Sequence, residues 1–131
     1  MITCSSSTPA RRARHIVSEN ERVKQFVAAC QDGDLRKLGE LFFASHRSLR
    51  LDYEVSCEEM DFLVDSAQAI DGVYGARMTG GGFGGCTVNL VDPPAEEKFH
   101  SEIVKRYRQR FSITPQVYRC RPSAGASEVT I

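Results

Sequence analysis

The sequence predicts an α+β domain: helices packed on one face of an antiparallel sheet, as a ferredoxin-like split unit with further helices in front. Three observations predict it. Apolar residues recur at three and four residues through the first half, the period of a helix face. From Val73 the pattern changes to short apolar runs with period two, the mark of strands. One helix-period stretch then returns between strand-like segments.

Composition bounds the class. A chain of 131 residues fits one domain and can bury a core without staples. Seventeen Lys and Arg balance seventeen Asp and Glu, which argues against a nucleic-acid surface. No apolar run approaches the ~18 residues of a membrane span. The five cysteines, Cys4, Cys30, Cys57, Cys86 and Cys120, are odd in number and include no C-x-x-C pair. They read as reduced thiols in a cytoplasmic protein rather than a zinc or disulfide framework.

Residues 1–17 are expected to be a flexible or truncated leader, with the domain spanning 18–131. Arg11, Arg12, Arg14 and the Ser5-Ser6-Ser7-Thr8 run give the leader a transit-peptide composition, but it lacks an apolar face. Ser18 and Glu21 have capping-box spacing and predict the start of the first helix, with Val23, Phe26, Val27 and Cys30 on its buried face. Asp32-Gly33-Asp34 breaks it, and Asp34 caps a second helix carrying Leu38, Leu41, Phe42, Ser45 and Leu49. The short break predicts an antiparallel pair. Ser56 and Glu59 form a second capping box, before Met60, Leu63, Val64 and Ala67. Asp71-Gly72 is expected to end that helix.

Val73–Thr79 and Cys86–Val91 read as strands. Asp92-Pro93-Pro94 opens a fourth helix, with Phe99, Ile103, Tyr107 and Phe111 four apart on one stripe. Residues 116–121 and 128–131 are expected to add two more strands.

Five of the ten glycines fall in Gly80-Gly81-Gly82-Phe83-Gly84-Gly85. Such a run permits positive φ and close backbone approach, and its successive N–H groups can form an anion-attracting concavity. Arg77 stands three residues upstream to add a positive charge. The same run also suits a plain hairpin connector, and the residues alone leave both readings open. It is not a Walker A loop, since no Lys-Ser/Thr follows. Nor is it a dinucleotide fingerprint, since it leads into a strand.

Arg77-Met78-Thr79-Gly80-Gly81-Gly82-Phe83-Gly84-Gly85-Cys86-Thr87 resembles the third conserved motif of the GHMP kinases, in the galactokinase form where an aromatic interrupts the glycines. Ser45-His46-Arg47-Ser48-Leu49-Arg50, Asp52-Tyr53-Glu54-Val55-Ser56-Cys57 and Arg12-Ala13-Arg14-His15-Ile16-Val17-Ser18-Glu19 are similar to that family too, in its order and spacing over 12–131. The resemblance implies the C-terminal part of an enzyme that moves the γ-phosphate of ATP, with Mg²⁺, to the 1-hydroxyl of galactose. It implies ATP, galactose and an N-terminal half as partners.

The family's sugar signature, serine-rich phosphate loop and reactive Asp and Arg belong to that other half and have no counterpart here. Only Thr79, Gly80, Gly81, Gly82, Phe83, Gly84, Gly85 and Cys86 are therefore carried over, as a loop lying against the ATP phosphates. No catalytic and no metal-ligating residue is assigned, and the chain alone is expected to be inactive. The alternatives are a free-standing ligand-binding or regulatory domain, or part of another GHMP sugar kinase.

Other candidates read as structural. His46 and Arg47 are expected on a helix surface that packs on the other half. Asp61 and Asp65 read as a solvated face, and Cys86 as a small packed residue. Lys105, Arg106, Arg108 and Arg110 are offset by Glu96, Glu97 and Glu102.

Overall fold

The computed structural model describes residues 7–126. Its elements are α1 (Thr8–Asp32), α2 (Leu35–Ser48), a π-helical turn (Leu49–Tyr53), α3 (Glu58–Gln68), β1 (Val73–Thr79), β2 (Cys86–Val91), a 3₁₀ turn (Pro93–Ala95) and α4 (Glu96–Phe111). No described helix is long and apolar enough to cross a membrane.

The first helix begins at Thr8, so ten residues of the expected leader belong to α1. Ser18 caps nothing; its hydroxyl donates to the His15 carbonyl and accepts from Arg22. The missing apolar face did not matter, because this turn is ordered by polar tertiary contacts. Arg11 and Arg12 pair with Glu54 at 3.1 and 2.8 Å, and Arg14 with Asp52 at 3.2 Å. His15 is buried, stacks on Tyr53 and contacts Ser48 Oγ at 2.9 Å. Residues 1–6 lie outside the described residues.

A left-handed Gly33 ends α1, with Asp34 N–H on the Ala29 carbonyl at 2.9 Å and Gly33 N–H on that of Cys30 at 3.3 Å. Asp34 then caps α2, its carboxylate accepting from Lys37 N–H at 2.9 Å, as the sequence predicts. The contacts His15–Ser48, Glu19–Ser45 and Phe26–Phe42 rise along α1 as they fall along α2, so the pair is antiparallel. The second capping box does not form. Cys57 is the residue before α3, and Ser56 donates to Asp61 instead. The α3 N-terminus is favoured by Glu58, Glu59 and Asp61 in its first turn.

β1 and β2 pair antiparallel from Val73↔Val91 to Thr79↔Cys86, with an irregularity between Val73 and Gly75. α3 and α4 cover one face, where Val64, Ala67, Ile70, Ala76, Phe99 and Ile103 form the main core. A smaller cluster of Leu49, Met60 and Met78 extends it toward the loop after β1. α2 runs along the edge of β1 that β2 leaves free: Gly39 abuts Tyr74, and His46 takes the Met78 N–H. Covering a strand edge with a helix removes a site of unwanted pairing.

Residues 116–121, expected as a strand, form none. This segment pairs with neither edge of the two-stranded sheet. Arg119 ties it to Glu96 at 2.7 Å and to Glu97 at 3.0 Å, in the first turn of α4. The ferredoxin-like unit is thus represented, among the described residues, by a two-stranded sheet. The strand expected at 128–131 lies outside the described residues.

Gly39 fixes how closely α2 approaches. A Cβ there would stand 1.9 Å from the Tyr74 carbonyl oxygen. In an open helix, Gly→Ala stabilises by about 1 kcal/mol. Here the sign reverses: Gly39→Ala is expected to destabilise by on the order of 1–3 kcal/mol through overpacking. Urea unfolding of the two chains checks it, and a more stable variant refutes the close approach.

Candidate functional site

The glycine loop leaves the ladder after Thr79 and rejoins it at Cys86. Gly80, Gly82, Gly84 and Gly85 have φ of +83°, +97°, +133° and +112°, and Phe83 has +61°. A non-glycine residue at positive φ is uncommon. Phe83 is held there by its N–H, which donates to the Val55 carbonyl at 2.7 Å, while its ring is 75% exposed.

The glycines divide into two groups. A Cβ on Gly82 would stand 2.3 Å from Val55 O, 2.8 Å from Val55 Cβ and 3.2 Å from Met78 Cε. Gly82 therefore seats the loop on the protein. At Gly80, Gly81, Gly84 and Gly85 nothing lies within 4 Å of the equivalent point. A side chain at any of these positions would meet open space.

Val55 is the seat, and α1 helps to place it. Its N–H closes the π-helical turn on the Leu49 carbonyl at 3.1 Å. Glu54 before it is left-handed, at φ +58°. The hydrogen bond from Arg12, with Arg11 beside it, holds the Glu54 carboxyl below the usual range.

The root of the loop is tied by a buried histidine. Met78 N–H donates to His46 Nδ1 at 3.1 Å. That leaves the ring proton on Nε2, which donates to Asp61 Oδ1 at 3.0 Å. Asp61 also accepts from Ser56 Oγ at 2.7 Å and pairs with Arg50 at 3.0 Å. Burial lowers the His46 pKa against the pull of Asp61. Burial also lowers that of His15, against Glu19.

Several expected positions change. His46 is buried in contact with α3 and β1, and Asp61 is its partner rather than part of a solvated face. Asp65 is exposed, pairing with Arg50 at 3.4 Å. Arg77 points away from the loop: it pairs with Glu19 at 3.4 Å and donates to the Met78 carbonyl. Glu19 is pushed up by burial, yet the Ser45 hydroxyl at 2.6 Å and Arg22 bring it below the usual carboxylate range. Cys86 is exposed, not packed. On α4, Arg106 pairs with Glu102 and Arg110 with Glu58.

Sequence reasoning missed Val55 and the His46–Asp61 pair. The helical period through Leu38, Leu41 and Ser45 was the available signal that residues near 45 turn inward.

The site is an exposed, backbone-lined glycine loop on an α+β domain, with no acid or base of its own at the tip. The family described as GHMP kinases C terminal matches residues 26–109, and the chain belongs to it. It is 48% identical to a galactokinase of Roseiflexus sp. over 90% of this chain and 30% of that protein. It is 56% identical to the galactokinase of Homo sapiens over 74% of this chain and 25% of that one. The crystal structure of Lactococcus lactis galactokinase complexed with galactose superposes with a TM-score of 0.80 at 44% identity, over 84% of this chain and 28% of that one. L. major mevalonate kinase in complex with R-mevalonate gives 0.55 at 28% identity, over 81% of this chain and 35% of that one. The chain thus spans about a third of the length of the curated relatives it matches.

Two outcomes follow from this geometry. Gly82→Ala is expected to destabilise by on the order of 1–3 kcal/mol, from strain and the clash with Val55, whereas Gly81→Ala leaves stability near that of the parent. Thermal unfolding of both variants checks the contrast. Separately, His15 and His46 stabilise the fold as neutral rings. With both pKa values lowered from 6.5, that stability is full above the unfolded value and declines as pH falls through it toward the folded values. The melting temperature should drop between about pH 7 and about pH 5; a flat profile contradicts the burial of these rings.

Proposed function

We propose that this chain is the C-terminal part of a galactokinase, with Thr79, Gly80, Gly81, Gly82, Phe83, Gly84, Gly85 and Cys86 lying against the ATP phosphates. The observation that carries the reading is the open backbone at Gly80, Gly81, Gly84 and Gly85. No neighbouring atom crowds the Cβ side of the chain there, and a run of main-chain N–H groups can attract an anion. The superposition is also better on the galactokinase than on the mevalonate kinase.

In this reading the complete enzyme transfers the γ-phosphoryl group of ATP to the galactose 1-hydroxyl. Such transfer depends mainly on positioning and electrostatic stabilisation. The chain contributes positioning, through a loop whose height is set by Val55. It supplies no base near the loop tip. The family implies Mg²⁺, but among the described residues no three His, Cys, Asp or Glu side chains group to hold a metal ion. No residue of this chain is assigned to the ion. Free thiols at Cys30, Cys57, Cys86 and Cys120 suit a reducing, cytoplasmic setting.

The test is replacement of the matching third of the Thermotoga maritima galactokinase, 46% identical to this chain, by this chain. The joined protein is expected to release ADP in a galactose-dependent manner, and the 131-residue chain alone to release none. Gly81→Val in the joined protein should lower turnover at least tenfold with an unchanged melting temperature. Unaltered turnover there would reduce the loop to a hairpin connector, and turnover with another sugar only would replace galactose.

A further inference from the structure

We propose that His46 is a positioning residue for the glycine loop: its imidazole, bonded to the Met78 amide on one side and to Asp61 on the other, sets the height at which Gly82 and Phe83 meet Val55. For its consequence in turnover, the proposal rests on the phosphate-facing reading of the loop. Two sides of one joint hang from this pair. Met78 is the root: it lies two residues before Gly80, and its Cε lies beneath Gly82. Val55 is the seat, and the next residue, Ser56, donates to the same Asp61 Oδ1 that His46 Nε2 reaches. One carboxylate oxygen therefore fixes root and seat relative to each other across α2, α3 and β1.

The arrangement requires the neutral ring. On the imidazolium, Nδ1 also carries a proton, which would face the Met78 N–H, donor against donor. Charging His46 thus breaks the tie to β1 while strengthening the one to Asp61. The charged groups facing the ring are few. From α3, Asp61 and Asp65 favour charging, and from the π-helical turn Arg50 opposes it. β1 presents the Met78 backbone, its Arg77 being turned to Glu19, and α1 reaches the neighbouring Ser45 through that same Glu19. Arg47, beside His46 on α2, is exposed.

The experiment follows imidazole nitrogen shifts and amide hydrogen exchange by NMR on the 131-residue chain. At neutral pH the proton is expected on Nε2. As His46 charges, below the ordinary histidine range, exchange at Met78 and Phe83 should accelerate at least tenfold with the same midpoint. Asp61→Asn removes the charge that favours the imidazolium, so both midpoints should move together to lower pH. His46→Asn offers an oxygen to the Met78 N–H and should keep more loop protection than His46→Leu. If His46→Leu does not fold, the parent and Asp61→Asn titrations decide alone. A proton on Nδ1 at neutral pH, or Phe83 exchange indifferent to His46, overturns the proposal. Loop exchange that follows His46 without turnover of any sugar in the joined protein leaves the tie standing and removes the kinase reading. Turnover with loop exchange indifferent to His46 does the reverse.

Discussion

Asp61 Oδ1 accepts at once from the His46 ring and from the Ser56 hydroxyl, and the geometry of the loop depends on that shared oxygen. A carboxylate with several donors is held firmly, because each remaining lone pair left unbonded in a partly buried site costs free energy. Arg50 supplies a further donor at 3.0 Å. The result joins the edge of β1 to the start of α3 without a strand-to-strand ladder. What α2 contributes is therefore twofold: it covers the free edge of β1, and it carries the imidazole that reads that edge.

The loop itself is built from glycines with different duties. Gly82 is a packing requirement, since Val55 occupies the space a side chain would need. The others leave their backbone uncovered. The run is therefore not one flexible element. Phe83 marks the boundary: its backbone is anchored inward on Val55 while its ring stands in solvent. The seat is in turn placed by the N-terminal turns of α1, whose arginines reach Asp52 and Glu54 some forty residues downstream. Residues that read as a basic leader thus help to support the loop.

The strand before the loop decides which side chains reach it. Arg77, the cation nearest the loop in sequence, is directed to Glu19 because alternate residues of a strand face opposite ways. Met78 then faces the core under Gly82. What remains at the tip is the glycine main chain and the exposed Phe83 ring.

Local signals determined much of this in advance. The Asp34 cap, the helix period from Leu38 to Ser45, the two strands and the stripe on α4 are short-range properties, and they appear where the spacing predicts them. The glycine run was legible as a loop, and the motifs around it were legible as a family. Tertiary structure alone decided the rest. Ser18–Glu21 and Ser56–Glu59 have the spacing of caps, yet each serine found a different partner, since spacing does not say which donor a distant fold will supply. The residues 116–121 have strand character, but they join neither strand, and Arg119 ties them to Glu96 and Glu97 of α4 instead. His46 looked like a surface residue because its two partners, Asp61 and the Met78 amide, lie 15 and 32 residues away. Pairings across such separations depend on how helices and strands close on one another, which no local pattern encodes.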